Sequence, residues 1–408
     1  AAAVEGSLNA MNHLFSGLRV IDCASFIAAP AAATVLSDFG AEVIKVEPPT
    51  GDAYRQTASA PGQPATEHNF PWIVDARNKR SIAVDLASED GREILRRLVA
   101  GADVFITNYP VRVREKLGFD YATLKSLNPR LIYAAFSGYG DNGPEAEKPG
   151  FDTTAWWARS GMMDAVRVAG APPARSTGGM GDHPSSLAVL SGILMALYRR
   201  EKTGEGAEVK SSLIANGVWA NAFQVQAALC GAIFPERRPR EEGSNALAAF
   251  YQCRDGQWLI LSIHNEERLW PELVACLERP DLADDPRFAT KPDRLANARA
   301  LIGELDAAFA RRDRSEWRAR LNARGVLFEI VAPVTDVPDD PQALQNDLLV
   351  PFADSDLKTV NSPFWISGEP KVQPRMPPEL GQHSDEILRE IGYSADEIGR
   401  MRAAKAVV

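Results

Sequence analysis

Up to about residue 140 the chain alternates short apolar runs with stretches whose apolar positions recur every three or four residues. The runs Leu18–Asp22, Glu42–Glu47, Ser81–Leu86, Val104–Thr107 and Leu131–Phe136 are rich in Val and Ile and predict strands. Between them, Ala29–Phe39 is Ala-rich and stops at Gly40. Glu89–Ala100 follows Ser88 as N-cap, sets Ile94, Leu95, Leu98 and Val99 on one face, and ends at Gly101. This alternation predicts βαβ units: an α/β fold on a mostly parallel sheet with helices on both faces. A helix over Leu187–Arg200, a turn at 203–206 and a strand over Ala207–Ser211 extend the pattern.

The character changes at 235–244, PERRPREEGS, a charged, Pro-containing loop or domain boundary. Phe250–Ile263 predicts a hairpin turning at Asp255-Gly256, and helices are expected around Glu267–Glu278, Leu295–Arg311 and Ser315–Ala323. These place a smaller α+β domain at 225–330, after a first part at 12–224 and before a linker and C-terminal part at 331–408. Pro363–Pro378 reads as extended linker. Terminal helices follow at Ser384–Ile391 and Ala395–Ala404, the second with a capping box, Ser394 and Glu397. Ser211–Phe234 carries no charge over 24 residues, yet Ser211, Ser212, Asn216, Asn221, Gln224 and Gln226 would be costly in lipid. A helix buried in the protein or at a subunit interface is expected there instead.

Charge narrows the function classes. The 408 residues include 45 Lys and Arg against 54 Asp and Glu, a net −9, which argues against nucleic-acid or membrane-surface partners. Cys23, Cys230, Cys253 and Cys276 are widely spaced, so neither a disulfide framework nor a zinc site is expected, and a cytoplasmic setting is. His13, His68, His183, His264 and His383 form no metal-ligand pattern. The N-terminal AAAVEGSLNAM has no basic run followed by a long apolar one and does not read as a signal peptide; Met11 is a candidate start.

Four segments carry candidate chemistry. Gly138-Tyr139-Gly140-Asp141-Asn142-Gly143 is a formal GxGxxG after a predicted strand, the basis of an alternative reading as an NAD-dependent oxidoreductase. Pro144 and Pro149-Gly150 leave no room for the long helix that fingerprint requires, although the turn is placed to line a crevice. Asp152 opens an aromatic stretch with Trp156 and Trp157 and reads as an N-cap or as a carboxylate nucleophile or base beside a cleft. Ser176–Ser185 brings Gly178, Gly179 and Gly181 next to Asp182, a second N-cap candidate, and His183. Arg77-Asn78-Lys79-Arg80, with Arg112, Arg114 and Lys116, supplies candidate phosphate contacts or a solvated charged face.

Taken together these segments resemble the family III CoA-transferases, which include formyl-CoA and carnitine CoA-transferases and 2-methylacyl-CoA racemases. The resemblance rests on GLRVIDCASFIAAPAAATVLSDFGAEVIKVEPPTGD (17–52), RNKRSIAVDL (77–86), NPRLIYAAFSGYG (128–140), the Asp152 segment, TGEGAEV (203–209), DDPRFAT (284–290), Glu316-Trp317, Asp340-Pro341-Gln342 and GQHSDEILREIGYSADEI (381–398). It implies a Rossmann-like large domain joined from N- and C-terminal parts around the smaller domain, and an interlocked homodimer. It also implies that Asp152 attacks an acyl-CoA thioester, giving an acyl–aspartyl anhydride and then an aspartyl-CoA thioester that an incoming carboxylate opens. Contacts to coenzyme A, a substrate here, would come from Phe26, Ile27, Ala28, Arg55, Arg77, Lys79, Arg80, Asn108, Arg114, Ser137 and Gly138. Glycine loops including Gly243-Ser244-Asn245 would face the reaction, and no metal or further cofactor is implied.

The racemase branch carries His where this chain has Phe151, and formyl-CoA transferases carry Gln within the block Phe26–Pro30; both branches are therefore disfavoured. Asn108-Tyr109-Pro110-Val111-Arg112 stands where most relatives read Asn-Phe-Arg-Pro-Gly. FIAAP and FDTTAWWARSG are most similar to the transferases of 2-hydroxy acids and aryl-succinates, which points to a bulky or aromatic acid beside Trp156 and Trp157, with small dicarboxylates as the alternative.

Overall fold

A computed structural model describes residues 13–408, so the N-terminal stretch weighed above as a signal lies outside the described residues. Six parallel strands form the main sheet: β1 (Arg19–Cys23), β2 (Glu42–Glu47), β3 (Arg80–Ala83), β4 (Val104–Thr107), β5 (Ile132–Ser137) and β6 (Ala207–Ser212). Their order is β3-β2-β1-β4-β5-β6, the dinucleotide-fold order, with the chain reversing direction across the sheet between β1 and β4.

Strand alternation sorts the core into two layers. Val20, Val43, Val104 and Ile132, which share one register, face the helices Ala28–Asp38 and Asp182–Thr203. Ile21, Ile44, Phe105 and Tyr133, one residue on, face Glu89–Ala100 and the terminal helices Ser384–Glu390 and Ala395–Ala403. Ser88 caps its helix through Gly91 N–H, and Ser394 and Glu397 form the expected capping box. Val407 bridges to Val84 beside β3, and Ser384 Oγ donates to Val408 O at 2.6 Å, which ties the C-terminus to the sheet.

The chain divides into two compact units. One runs through residue 165 and adds 173–232 and 346–408; the other comprises 166–172 and 233–345. The second holds an antiparallel sheet β7-β8-β9 (Phe250–Gln252, Trp258–Leu261, Phe328–Ile330) covered by helices around Leu273, Leu305, Phe309 and Trp317. The helix expected at Leu295–Arg311 is two, Lys291–Ala296 and Ala298–Phe309, broken at Asn297. That asparagine side chain donates to Arg287 O and Asp293 O, competing with helical continuation.

The uncharged stretch is two helices rather than one, Leu213–Ala220 and Ala222–Leu229, meeting at Asn221, whose side chain donates to Ser160 O. Of the two settings expected for it, burial within the chain is corrected. Trp219, Phe223, Leu229 and Ile233 are exposed, between 76% and 96%. Among the described residues no helix is long and apolar enough to cross a membrane.

Candidate functional site

The first unit contains a cavity of about 460 Å³ at the carboxyl ends of β1, β4 and β5. Open α/β sheets bind ligands there because the chain leaves neighbouring strands in opposite directions and opens a crevice. Asn108, directly after β4, stitches that crevice: its Oδ1 accepts from Ser25 N–H at 2.9 Å and its Nδ2 donates to Ser25 O at 2.7 Å. The next residue, Phe26, adopts φ +63°, a left-handed conformation that costs a bulky residue on the order of 1 kcal/mol or more. The strain turns its ring edge-on to Phe151, centroids 5.5 Å apart.

Gly138 and Gly150 explain why the turn after β5 is glycine-rich. A Cβ on Gly138 would stand 2.7 Å from Gly150 Cα and 3.0 Å from its nitrogen, so two backbones touch where neither side chain fits. This contact delivers the next segment, Asp152–Ala158, a single π-helical turn, to the cavity wall. No helix opens after Gly143, so the dinucleotide fingerprint has no phosphate-facing helix end. Asp152 is buried, in the first helical position rather than at the N-cap. Its Oδ1 accepts from Thr153 N–H at 2.6 Å, whereas Oδ2 is buried without a hydrogen-bond partner among the described residues. One carboxylate oxygen is fixed and the other is free.

Across the cavity wall lie Gly178, Gly179 and Asp182. Asp182 begins the 22-residue helix after Gly181, which abuts Trp156, and burial plus the Asp152 charge push its pKa up to about 7. Neighbouring His183 Nε2 pairs with buried Asp75 Oδ1 at 3.0 Å, and Tyr54 Oη donates to Asp75 Oδ2 at 2.6 Å. Burial disfavours the imidazolium, but the Asp75 hydrogen bond and the Asp75 and Asp182 charges outweigh it and raise the His183 pKa. Asp75 carried no motif; only its helical position facing Tyr54 and His183 marks it.

The structure brings Phe26, Ile27, Ala28, Asn108, Arg114, Ser137, Gly138 and Asp152 together in this wall. Arg114 and Lys148 are its cations, paired with Asp141 at 2.9 Å and Glu145 at 2.8 Å. Four other expected coenzyme A contacts lie elsewhere. Arg77 chelates Asp38 with both oxygens, Lys79 Nζ holds Asp22 at 2.9 Å and Pro30 O at 2.8 Å, and Arg80 pairs with Glu42 and Glu390. Arg55 grips Glu47 and lies over Trp72. These cations balance internal carboxylates: Asp22, Lys45 and Lys79 are sealed under the sheet edge, where Lys45 also meets Asp52 at 2.9 Å. Trp156 and Trp157 stack in the core, with Trp157 Nε1 donating to Ala174 O, and do not line the cavity. The aromatic wall is instead Phe26, Tyr54, Tyr109, Phe136 and Phe151. Gly243, Ser244 and Asn245 line a separate groove within the second unit.

Comparison with known proteins bears on this arrangement. The model of CoA-transferase family III matches residues 15–384. The (R)-2-hydroxy-4-methylpentanoate CoA-transferase of Clostridioides difficile is 33% identical, over 97% of this chain and 99% of its own. The cinnamoyl-CoA:phenyllactate CoA-transferase of Clostridium sporogenes is 31% identical over 97% and 98%. The crystal structure of a CaiB/BaiF family protein from Brucella suis superposes with a TM-score of 0.85 at 31% identity, covering 93% of this chain and 100% of that one.

Proposed function

Because this chain belongs to CoA-transferase family III, we propose that it moves coenzyme A from an acyl-CoA to a free carboxylic acid through Asp152. The observation that carries the assignment is the free, buried Oδ2 of Asp152 in the wall of a cavity at the sheet's carboxyl edge. Attack by that oxygen on a thioester carbonyl yields an acyl–aspartyl anhydride and releases the CoA thiolate. The thiolate then attacks the aspartyl carbonyl, freeing the first acid and leaving an aspartyl-CoA thioester. A second carboxylate reverses both steps. Thioester and anhydride are comparably activated, so the exchange needs no further energy source, provided that water stays out. Burial of Asp152 and the apolar wall of Phe26, Phe136 and Phe151 serve that exclusion.

Five aromatic residues in a cavity of about 460 Å³ support a bulky or aryl 2-hydroxy acid as substrate, in line with the acids named for the two relatives above. Arg114 and Lys148 supply the positive charge in the wall, with Phe26, Ile27, Ala28, Asn108, Ser137 and Gly138 as its contact surface. The exposed Trp219, Phe223 and Leu229 support a homodimer, because a second copy would cover apolar surface that costs free energy in water. The buried thiols of Cys23, Cys253 and Cys276 suit a cytoplasmic location.

Incubation with an acyl-CoA followed by borohydride or hydroxylamine should trap a modification on Asp152, found by peptide mass spectrometry. Transfer that survives Asp152→Ala with no adduct would remove the assignment.

A further inference from the structure

The mechanism above leaves Asp182, a cavity-lining carboxyl outside the ion pairs of the wall, without a task. Asp182 shares the cavity with Asp152, and the other residues of its own loop that line it, Gly178 and Gly179, carry no side chain. Its carboxyl makes no hydrogen bond or ion pair among the described residues, although it is partly buried. Its neighbour His183 is turned to Asp75, and Asp75 is also engaged by Tyr54, so neither neutralises Asp182 by direct contact. The cations of the wall, Arg114 and Lys148, are occupied by Asp141 and Glu145. Two carboxyl groups lining one cavity repel when both are ionised, and the proton goes to one of them.

Resting on the assignment of Asp152 as nucleophile, we propose that Asp182 is a second catalytic residue, the general acid for the departing CoA sulfur and the general base that regenerates the thiolate. In the forward half-reaction Asp152 Oδ2 forms a bond to the thioester carbonyl carbon and the C–S bond breaks. Its electron pair stays on sulfur, which takes the Asp182 proton to give CoA thiol. In the next half-reaction the Asp182 carboxylate takes that proton back as sulfur attacks the aspartyl carbonyl, and the first acid departs as its carboxylate. One negative charge therefore moves through the site: it is on Asp152 before acylation, on Asp182 in the anhydride, and on the departing acid once the aspartyl-CoA thioester has formed.

Electrostatic coupling makes the exchange self-timing. With Asp152 ionised, burial and the Asp152 charge hold Asp182 protonated up to about pH 7, with Asp75 adding to the effect and His183 opposing it. Acylation neutralises Asp152, which removes that charge and releases the proton when the sulfur needs it. Keeping a single charge there also avoids the cost of placing a thiolate beside a carboxylate.

Single-turnover CoA release from an acyl-CoA is the test, followed from about pH 5 to pH 9 in the full-length protein, where a general acid with a pKa near 7 sits mid-range. For wild type the rate should be level on the acid side and fall about tenfold per pH unit above about 7. Asp182→Asn should be roughly a hundredfold slower and level across the range, and Asp182→Glu should restore a falling limb. An Asp182→Asn variant that keeps the wild-type limb, or loses less than about twofold in rate, overturns the proposal. A wild-type enzyme that forms no Asp152 adduct sinks the transferase assignment instead, so the two failures are separable.

Discussion

Lys79 separates two roles for the basic segment before β3. As a phosphate contact it would contribute a charge-assisted bond of ~1.5–3 kcal/mol, and its loss would raise the KM for acyl-CoA roughly tenfold to a hundredfold. The structure makes it an internal strut: Nζ bonds Asp22 Oδ2 and Pro30 O, with both side chains fully buried. In Lys79→Met the chain length is kept but Asp22 retains only Lys45, at 3.8 Å, while Pro30 O loses Lys79 and keeps Thr34 Oγ1 at 3.1 Å. Removing one partner of a buried ion pair costs ~3–5 kcal/mol, because the remaining charge stays desolvated. Urea unfolding followed by circular dichroism should show that loss as a lower midpoint at unchanged slope, with KM for acyl-CoA within about twofold of wild type. A tenfold or larger rise in KM at an unchanged midpoint would refute the strut and restore the phosphate reading.

Gly138→Ala forces a methyl against Gly150, 2.7 Å from its Cα, so stability should fall by ~1–3 kcal/mol and kcat should fall more than binding, as Asp152 is displaced; thermal unfolding and steady-state kinetics check both. Asn108→Ala removes both bonds to Ser25, and should loosen the Ser25–Phe26 turn, detected as faster amide exchange there and a higher KM. Asp182→Asn should change stability in a pH-dependent way. The folded-state pKa of Asp182 is raised, so the native protein binds the extra proton between the unfolded value, near 4, and about 7. Wild type loses stability across that window as pH rises, and nothing further above it. The melting temperature of Asp182→Asn relative to wild type should therefore climb from pH 4 to pH 7 and then level off; a difference independent of pH would contradict the raised value.

The first five strands were legible because each buries both faces and carries Val or Ile; β2 and β4 fall on the predicted residues, and β1, β3 and β5 differ only at their ends. The Ser88 and Ser394 caps were legible for a local reason, since the bonds they make span three residues. Long-range charge balance was not. Arg77, Lys79 and Arg80 read as a basic cluster, while Asp38, Asp22 and Glu42, which neutralise them, stand some forty to sixty residues earlier and meet them only through parallel pairing of β1, β2 and β3. Trp156 and Trp157 follow Asp152 closely in sequence, but the π-helical turn carries them into the core. Ser211–Phe234 was legible only as core or subunit interface, because apolar composition does not say whether the covering surface belongs to the same chain. Asp75 and Asp182 required the third dimension, since their interest lies in what they face.

Heavy oxygen gives the most direct reading of the central claim. When an acceptor acid labelled with ¹⁸O in its carboxylate opens the aspartyl-CoA thioester, the bridging oxygen of the anhydride comes from that acid and stays on Asp152 when the new acyl-CoA leaves. Turnover with labelled acceptor, followed by digestion and mass spectrometry, should place one ¹⁸O on the Asp152 peptide, renewed at the Oδ2 position in each cycle because that oxygen leaves with the departing acid. Full transfer activity with an unlabelled Asp152 would contradict the account.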